Sequence, residues 1–235
     1  MSAPAVDDAL VARLRAIGET RYHDKHPLHA RMHAGALSRR AIQRWVENRF
    51  YYQTRIPIKD ALVLSKSDDP AFRRAWIHRI VDHDGAAEGD GGLALWLRLA
   101  EGVGLDRARV ARCEDVLPAV RFACDAYVTL VRERTLLEAV ASSLTEFFAP
   151  DLMSTRIAAW EKHYPWVDAD MLAYFRSRVP RARRDSGEAL AFVLAHAKTD
   201  VDRDLCVAAL AEKCAILWAM LDAIEAQAAL DDRGG

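Results

Sequence analysis

An all-α fold in one domain is the prediction, and three observations carry it. Apolar residues recur at intervals of three and four through most of the chain, which is the helical period. Only 11 glycines and 8 prolines punctuate 235 residues, and no stretch reads as a strand. At that length, with 51% hydrophobic and 29% charged residues, the chain can bury one sizeable core and has the apolar area to offset its ordering entropy. No internal repeat, low-complexity tract or linker interrupts it. Residues 1–230 are therefore expected as a single helical domain, with 231–235 a polar tail or linker stub.

The elements follow in order. Helices are expected over 6–21, 38–66, 70–85, 91–103, 115–133, 135–148, 151–163, 168–196 and 199–230. Pro70 and Pro150 suit helix first turns, where the missing N–H costs nothing, while Pro27, Pro118 and Pro165 read as connections. Pro57 and Pro180 lie inside long periodic stretches, where each removes a backbone hydrogen bond and is expected to kink the helix. The glycine-rich, acidic segment 85–92 lacks the Gly-Lys-Ser/Thr ending of a phosphate loop and reads as a turn.

Charge and motifs exclude several classes. A net charge of −1 gives no overall field toward nucleic acid or anionic lipid, so any bound anion must be caught locally. The four cysteines show no Cys-x-x-Cys spacing and fit a reducing compartment. Met1 to Asp8 shows no leader pattern and no apolar run reaches the roughly 18 residues of a membrane span, so a cytoplasmic protein is expected. Dinucleotide, nucleophile-elbow and basic-aromatic nucleic-acid patterns are missing. So is Glu-x-x-His, the pair that bundle helices use for metal, and no metal centre is expected.

Against that background a few side chains stand out. Ile42, Trp45, Arg49, Tyr52, Ile56 and Lys59 share one helical stripe, which sets two cations and a tyrosine among apolar residues. Cys206, Leu210, Lys213, Leu217, Met220 and Ile224 share another. Lys213 must meet an acidic side chain, a ligand carboxylate or a pocket, or else have a depressed pKa. Tyr174 and Arg178 stand four apart just before Pro180, and their spacing alone suits a pocket and a surface pair equally. His23, His26, His29 and His33 straddle Pro27, where a helix cap and surface packing account for most of them. His83, flanked by Asp82 and Asp84, is the better base candidate, because a carboxylate partner would tune its pKa toward neutrality.

One set of segments carries a resemblance. Asn48-Arg49-Phe50-Tyr51-Tyr52-Gln53-Thr54-Arg55-Ile56-Pro57-Ile58-Lys59-Asp60 resembles the signature helix of the pyrroloquinoline-quinone synthase family. Asp82-His83-Asp84-Gly85, Leu117-Pro118-Ala119-Val120-Arg121-Phe122-Ala123, Ser142-Ser143-Leu144-Thr145-Glu146, His163-Tyr164-Pro165-Trp166 and Tyr174-Phe175-Arg176-Ser177-Arg178 resemble it too, in the family's order. The likeness runs from about Tyr22 to Leu230.

The resemblance implies a compact helical bundle of the haem-oxygenase-like type, usually a homodimer, with one buried polar pocket. It implies a last ring closure and oxidation to pyrroloquinoline quinone, with O2 as co-substrate, hydrogen peroxide released, and no metal, haem or flavin. It implies catalytic roles for His83, Tyr174, Arg178, Tyr127 and His23. It implies that Arg49, Tyr52, Gln53, Arg79, Thr145, Glu146, Arg156 and Lys213 hold a small polycarboxylate substrate. The chain departs from the family pattern at Met153, where relatives carry a pocket-facing histidine. Some relatives are fused to a small pathway carrier, so contact with such a protein is a further expectation. Competing readings are a thiaminase-like hydrolase of the same fold, a haem-binding protein, and a non-catalytic carrier of the product.

Overall fold

The computed structural model describes residues 3–234, and the side chains of 7–231. Among the described residues there are helices and no strands. The α-helices are α1 (Ala3–Arg21), α2 (Pro27–His33), α3 (Arg39–Ser65), α4 (Pro70–Trp76), α5 (His78–Asp84), α6 (Gly91–Gly102), α7 (Arg107–Ala111), α8 (Pro118–Glu133), α9 (Leu136–Ser142), α10 (Ala149–His163), α11 (Ala173–His196) and α12 (Asp200–Gly234). Two 3₁₀ turns, His23–Lys25 and Ser143–Phe147, join them.

Several starts follow from local chemistry. The Ser38 hydroxyl accepts from Ala41 N at 3.0 Å to open α3, and Thr135 with Glu138 forms a reciprocal capping box on α9. Pro27 and Pro118, expected in connections, are instead the first residues of α2 and α8. Proline forces the preceding residue out of the helical region, which is why Leu117 is extended at φ −60°, ψ 138° and α8 starts at 118 rather than 115. Both α3 and α11 run on through Pro57 and Pro180. The missing N–H groups leave the carbonyls of Gln53 and Arg176 without their helical donors.

The expected helix over 70–85 is two helices meeting at Ile77, and the expected helix over 135–148 ends at Ser142. In the first case Trp76 turns inward to donate its indole N–H to Asp60 at 2.9 Å, a tertiary contact that overrides local periodicity. In the second, the Ser142 hydroxyl donates to Ala139 O at 2.7 Å, competing with the backbone ladder where the helix tightens into a 3₁₀ turn. The short helices α2 and α7 were not expected. At the other end α12 continues past Leu230, and Asp231 accepts from Arg44 Nε at 2.6 Å. Gly235, the end of the expected tail, lies outside the described residues.

Helix α3 occupies the centre, packed by α8 and α12 on one side and by α5 and α6 on another, while α10 and α11 form a neighbouring pair. The core beneath the site is aromatic. Trp45 contacts Trp96 (5.4 Å between ring centroids) and Trp160 (6.0 Å), Phe175 packs edge-on to Trp160, and Trp96 meets Tyr174 edge-on at 4.7 Å. Offset and edge-on pairs of this kind lock ring orientation as well as burying area. Among the described residues no helix is long and apolar enough to cross a membrane.

Candidate active site

A cavity of about 40 Å³ lies where α3, α5, α10, α11, α12 and both 3₁₀ turns converge. It brings together His23, Arg49, Tyr52, Gln53, His83, Thr145, Glu146, Tyr174 and Arg178 from the predicted set, and adds Tyr22, Ile56, Met153 and Leu217. Tyr127, Arg79, Arg156 and Lys213 are buried behind this wall rather than in it. A larger open groove of about 520 Å³ runs by Phe122, Asp125 and Glu212 but holds none of these residues.

On the α11 side, charge is paired. Arg178 donates to Glu146 at 2.8 Å and lies 3.6 Å from Asp185, yet its Nη1 is buried without a partner. Asp185, one turn beyond Pro180, also meets Arg79 at 3.6 Å and Arg184 at 2.7 Å, and its carbonyl accepts from Arg79 Nη2 at 2.5 Å. Burial alone would push the Asp185 carboxyl up; Arg79 and then Arg178 more than offset it and hold it below the ordinary value. Arg79 is thus engaged by Asp185 and by the Trp76 ring, 3.9 Å away. Sequence reasoning missed Asp185, although its place seven residues after Arg178 puts both on one helical face.

On the α3–α12 side, the cations rest on aromatic faces instead. Arg49 lies 4.1 Å from the Tyr52 centroid and, among the described residues, donates to Met220 sulfur alone, at 3.7 Å. Lys213 Nζ is fully buried with no hydrogen-bond partner, 3.2 Å from the Tyr127 centroid and 4.3 Å from that of Tyr52, two rings stacked at 11°. Burial and then the Arg49 charge push its pKa well below the usual ammonium value, the last of the alternatives its sequence position left open. Arg156 lies over Trp45 at 4.7 Å; burial and Arg49 bring its pKa down to about 9. Among the described residues, none of Arg49, Arg156 and Lys213 forms an ion pair, whereas buried Lys59 is paired with Asp60 at 2.6 Å.

The histidines depart from expectation. His26 does cap α2, accepting from Leu28 N at 3.1 Å, but His23, His26 and His29 are buried rather than packed on the surface. His23 Nδ1 lies 3.3 Å from His29 Nδ1, and Arg156 reaches His29 Nε2 at 3.2 Å. His83 is not held by its flanking aspartates. Successive helical residues point about 100° apart, and Asp82 turns to Arg181 and Arg184. His83 Nδ1 lies 3.0 Å from the Arg79 carbonyl, and burial followed by the Arg178 charge drives its pKa to about 3 rather than toward neutrality.

Two further observations bear on the competing chemistry. Cys124, Cys206 and Cys214 are buried, and burial pushes each thiol to about 12, the wrong direction for a nucleophile. Among the described residues no three His, Cys, Asp or Glu side chains are grouped so that they could hold a metal ion.

Comparison with known proteins gives a consistent result. The chain is 55% identical to the pyrroloquinoline-quinone synthase of Rhizobium meliloti over 92% of its own length and 84% of the relative's. It is 52% identical to the protein of that name from Xanthomonas oryzae pv. oryzae, over 95% and 90%. Among solved structures, a domain of unknown function with a heme oxygenase-like fold from Shewanella denitrificans aligns over 100% of this chain and 97% of its own, at a TM-score of 0.76 and 14% identity. A TenA homologue from Pseudomonas syringae pv. tomato aligns over 92% and 90%, at 0.73 and 11%. These last two show the haem-oxygenase-like fold. With residues 11–223 matching the model of the TENA/THI-4/PQQC family, and relatives this similar along nearly all of the chain, the protein belongs to that family and to its pyrroloquinoline-quinone synthase branch.

Proposed function

We propose that this chain catalyses the last ring closure and multi-electron oxidation that yield pyrroloquinoline quinone, with O2 as acceptor, H2O2 as by-product and no metal, haem or flavin. The observation that carries this reading is the set of buried basic side chains without carboxylates, Arg49, Arg156 and Lys213, around a cavity whose opposite wall offers His83, Tyr174 and Arg178. A polycarboxylate substrate supplies the missing negative charge, and charge-assisted contacts fix its orientation.

The proton chemistry follows from the hydrogen bonds. With the His83 Nδ1–H donated to the Arg79 carbonyl, the lone pair is on Nε2, the atom that accepts a substrate proton. Substrate carboxylates oppose the nearby cationic charge and raise the basicity of His83 on binding. The Tyr174 hydroxyl donates to Gln53 Oε1 at 2.7 Å, which aims its oxygen lone pairs at the cavity side. For each pair of electrons leaving the substrate, one O2 takes them with two protons and departs as H2O2. The unpartnered Nη1 of Arg178 is the preorganised donor for the reduced oxygen species.

A cavity of about 40 Å³ is far smaller than the several hundred Å³ of a typical ligand pocket and does not admit a multi-ring acid as it stands. Substrate entry therefore moves the wall, beginning with Glu146, whose side chain is a quarter exposed. The deciding experiment is oxygen uptake by chelator-treated protein with the purified late intermediate, following quinone absorbance and peroxide together. Turnover to quinone and peroxide supports the oxidase. Tight product binding without turnover replaces it with a carrier, and turnover restored only by added metal overturns the cofactor-free reading.

A further inference from the structure

We propose that His29 is a positioning residue that fixes His23 as its Nε2–H tautomer, so that His23 meets the cavity as a hydrogen-bond donor. The order of protons is set from Arg156, whose guanidinium has donors and no acceptor. It approaches His29 Nε2 at 3.2 Å, so that nitrogen carries the lone pair and the His29 proton is on Nδ1. From there the N–H points to two acceptors in the 3₁₀ turn, the His23 carbonyl at 2.9 Å and His23 Nδ1 at 3.3 Å. Two N–H groups facing each other at that separation repel, so His23 Nδ1 carries a lone pair and its proton is on Nε2. His23 lines the cavity, and with Nδ1 turned to His29, Nε2–H is the group it offers there.

The surroundings hold this chain of contacts in place. His29 is fully buried in α2, and Arg156 lies over Trp45 at 4.7 Å, with Phe175 at 5.5 Å. Burial, with the Arg156 and Arg49 charges behind it, keeps both histidines neutral. Arg156, behind the wall, thereby also serves the cavity through His29. A neutral N–H donor beside Arg49 suits a carboxylate or carbonyl oxygen of the substrate; it cannot act as the base, which leaves proton removal to His83.

The test is the tautomer itself, read from two-bond ¹H–¹⁵N correlations of histidine-labelled protein, with His23→Asn to assign the resonance. Wild type should show neutral His23 protonated on Nε2 and neutral His29 protonated on Nδ1. His29→Asn retains an N–H near the Nδ1 position and should preserve the His23 pattern, while His29→Leu should release it into a mixture of both tautomers. His23 protonated on Nδ1 in wild type, or unchanged in His29→Leu, overturns the proposal; if the leucine variant does not fold, the wild-type and asparagine spectra decide. The catalytic consequence rests on the oxidase reading: kcat/KM should fall about tenfold in His29→Leu and largely recover in His29→Asn. Absence of turnover in wild type sinks that reading, whereas the tautomer stands or falls on the spectra alone.

Discussion

Replacing Asp185 by asparagine keeps its volume and its backbone contact with Arg79 but removes the one carboxylate that three arginines share. At an effective dielectric of about 20, each 3.6 Å contact, to Arg79 and to Arg178, is worth about 4–5 kcal/mol before desolvation is subtracted. Breaking a buried pair by deleting one partner costs about 3–5 kcal/mol net, because the surviving charge stays buried. Arg178 retains Glu146, so the lower end, about 3 kcal/mol, is expected. For a chain of 235 residues that is a drop of about 6–12 °C in melting temperature. The sign with pH is fixed by the depressed folded pKa: the Asp185 contribution is complete above the unfolded value near 4 and is lost as pH falls through the lower folded one. Melting curves from pH 3 to 8 should show a constant gap between wild type and variant at neutral pH that closes in acid. A variant within about 2 °C of wild type at pH 7 would refute the claim that Asp185 organises this side of the site.

Three further outcomes are expected. Lys213→Met removes a buried amine whose charged form no carboxylate compensates, so the melting temperature should stay or rise by a few degrees while KM for the proposed polycarboxylate rises at least about tenfold; a destabilised variant with normal KM would show a structural lysine. Gly91 sits at φ +80°, and an added Cβ would come within 2.4 Å of Gly85 N and 2.6 Å of the His83 carbonyl; Gly91→Ala should cost about 2–3 kcal/mol in urea titrations and lower kcat by shifting His83. His83, with a folded pKa of about 3 against an unfolded value near 6.5, leaves the native state with fewer bound protons across that interval. Stability should therefore rise with pH from about 3 to 6.5, and His83→Gln should flatten this acid limb by roughly one proton, measured as ΔG of unfolding against pH.

The parts of this architecture that were legible in the sequence are those set by local rules. The long helices α3, α11 and α12 show in their periodicity, as does the apolar stripe carrying Arg49, Tyr52 and Lys59; that its cations are buried rather than snorkelling to water at a rim was not legible there. What was not legible depends on tertiary contact. Trp76 reaching Asp60 splits α4 from α5, and no pattern within 70–85 announces a hydrogen bond to a residue on another helix. His83 between two aspartates suggested a carboxylate partner, but helical geometry turns Asp82 outward to Arg181 and Arg184, and a backbone carbonyl takes its place. The histidines around Pro27 looked like surface residues because their partners, Arg156 and Asp222, are more than a hundred residues away.

Under the proposed function, the contrast between paired and unpaired basic side chains separates scaffold from binding surface. Lys59 on Asp60 and Arg79 on Asp185 have their charge satisfied within the protein, and a ligand would have to break those pairs to use them. Arg49, Arg156 and Lys213 are held by aromatic faces, contacts worth about 0.5–2 kcal/mol each for a charged group, which fix position without placing a negative charge beside them. A carboxylate at any of the three positions would have stabilised the empty protein and made it a weaker receptor for anions. Tyr52, Tyr127 and Trp45 thus supply the packing that an acidic partner would otherwise provide, without its charge. Under the proposed function, the field they leave open is what would select a substrate bearing several negative groups.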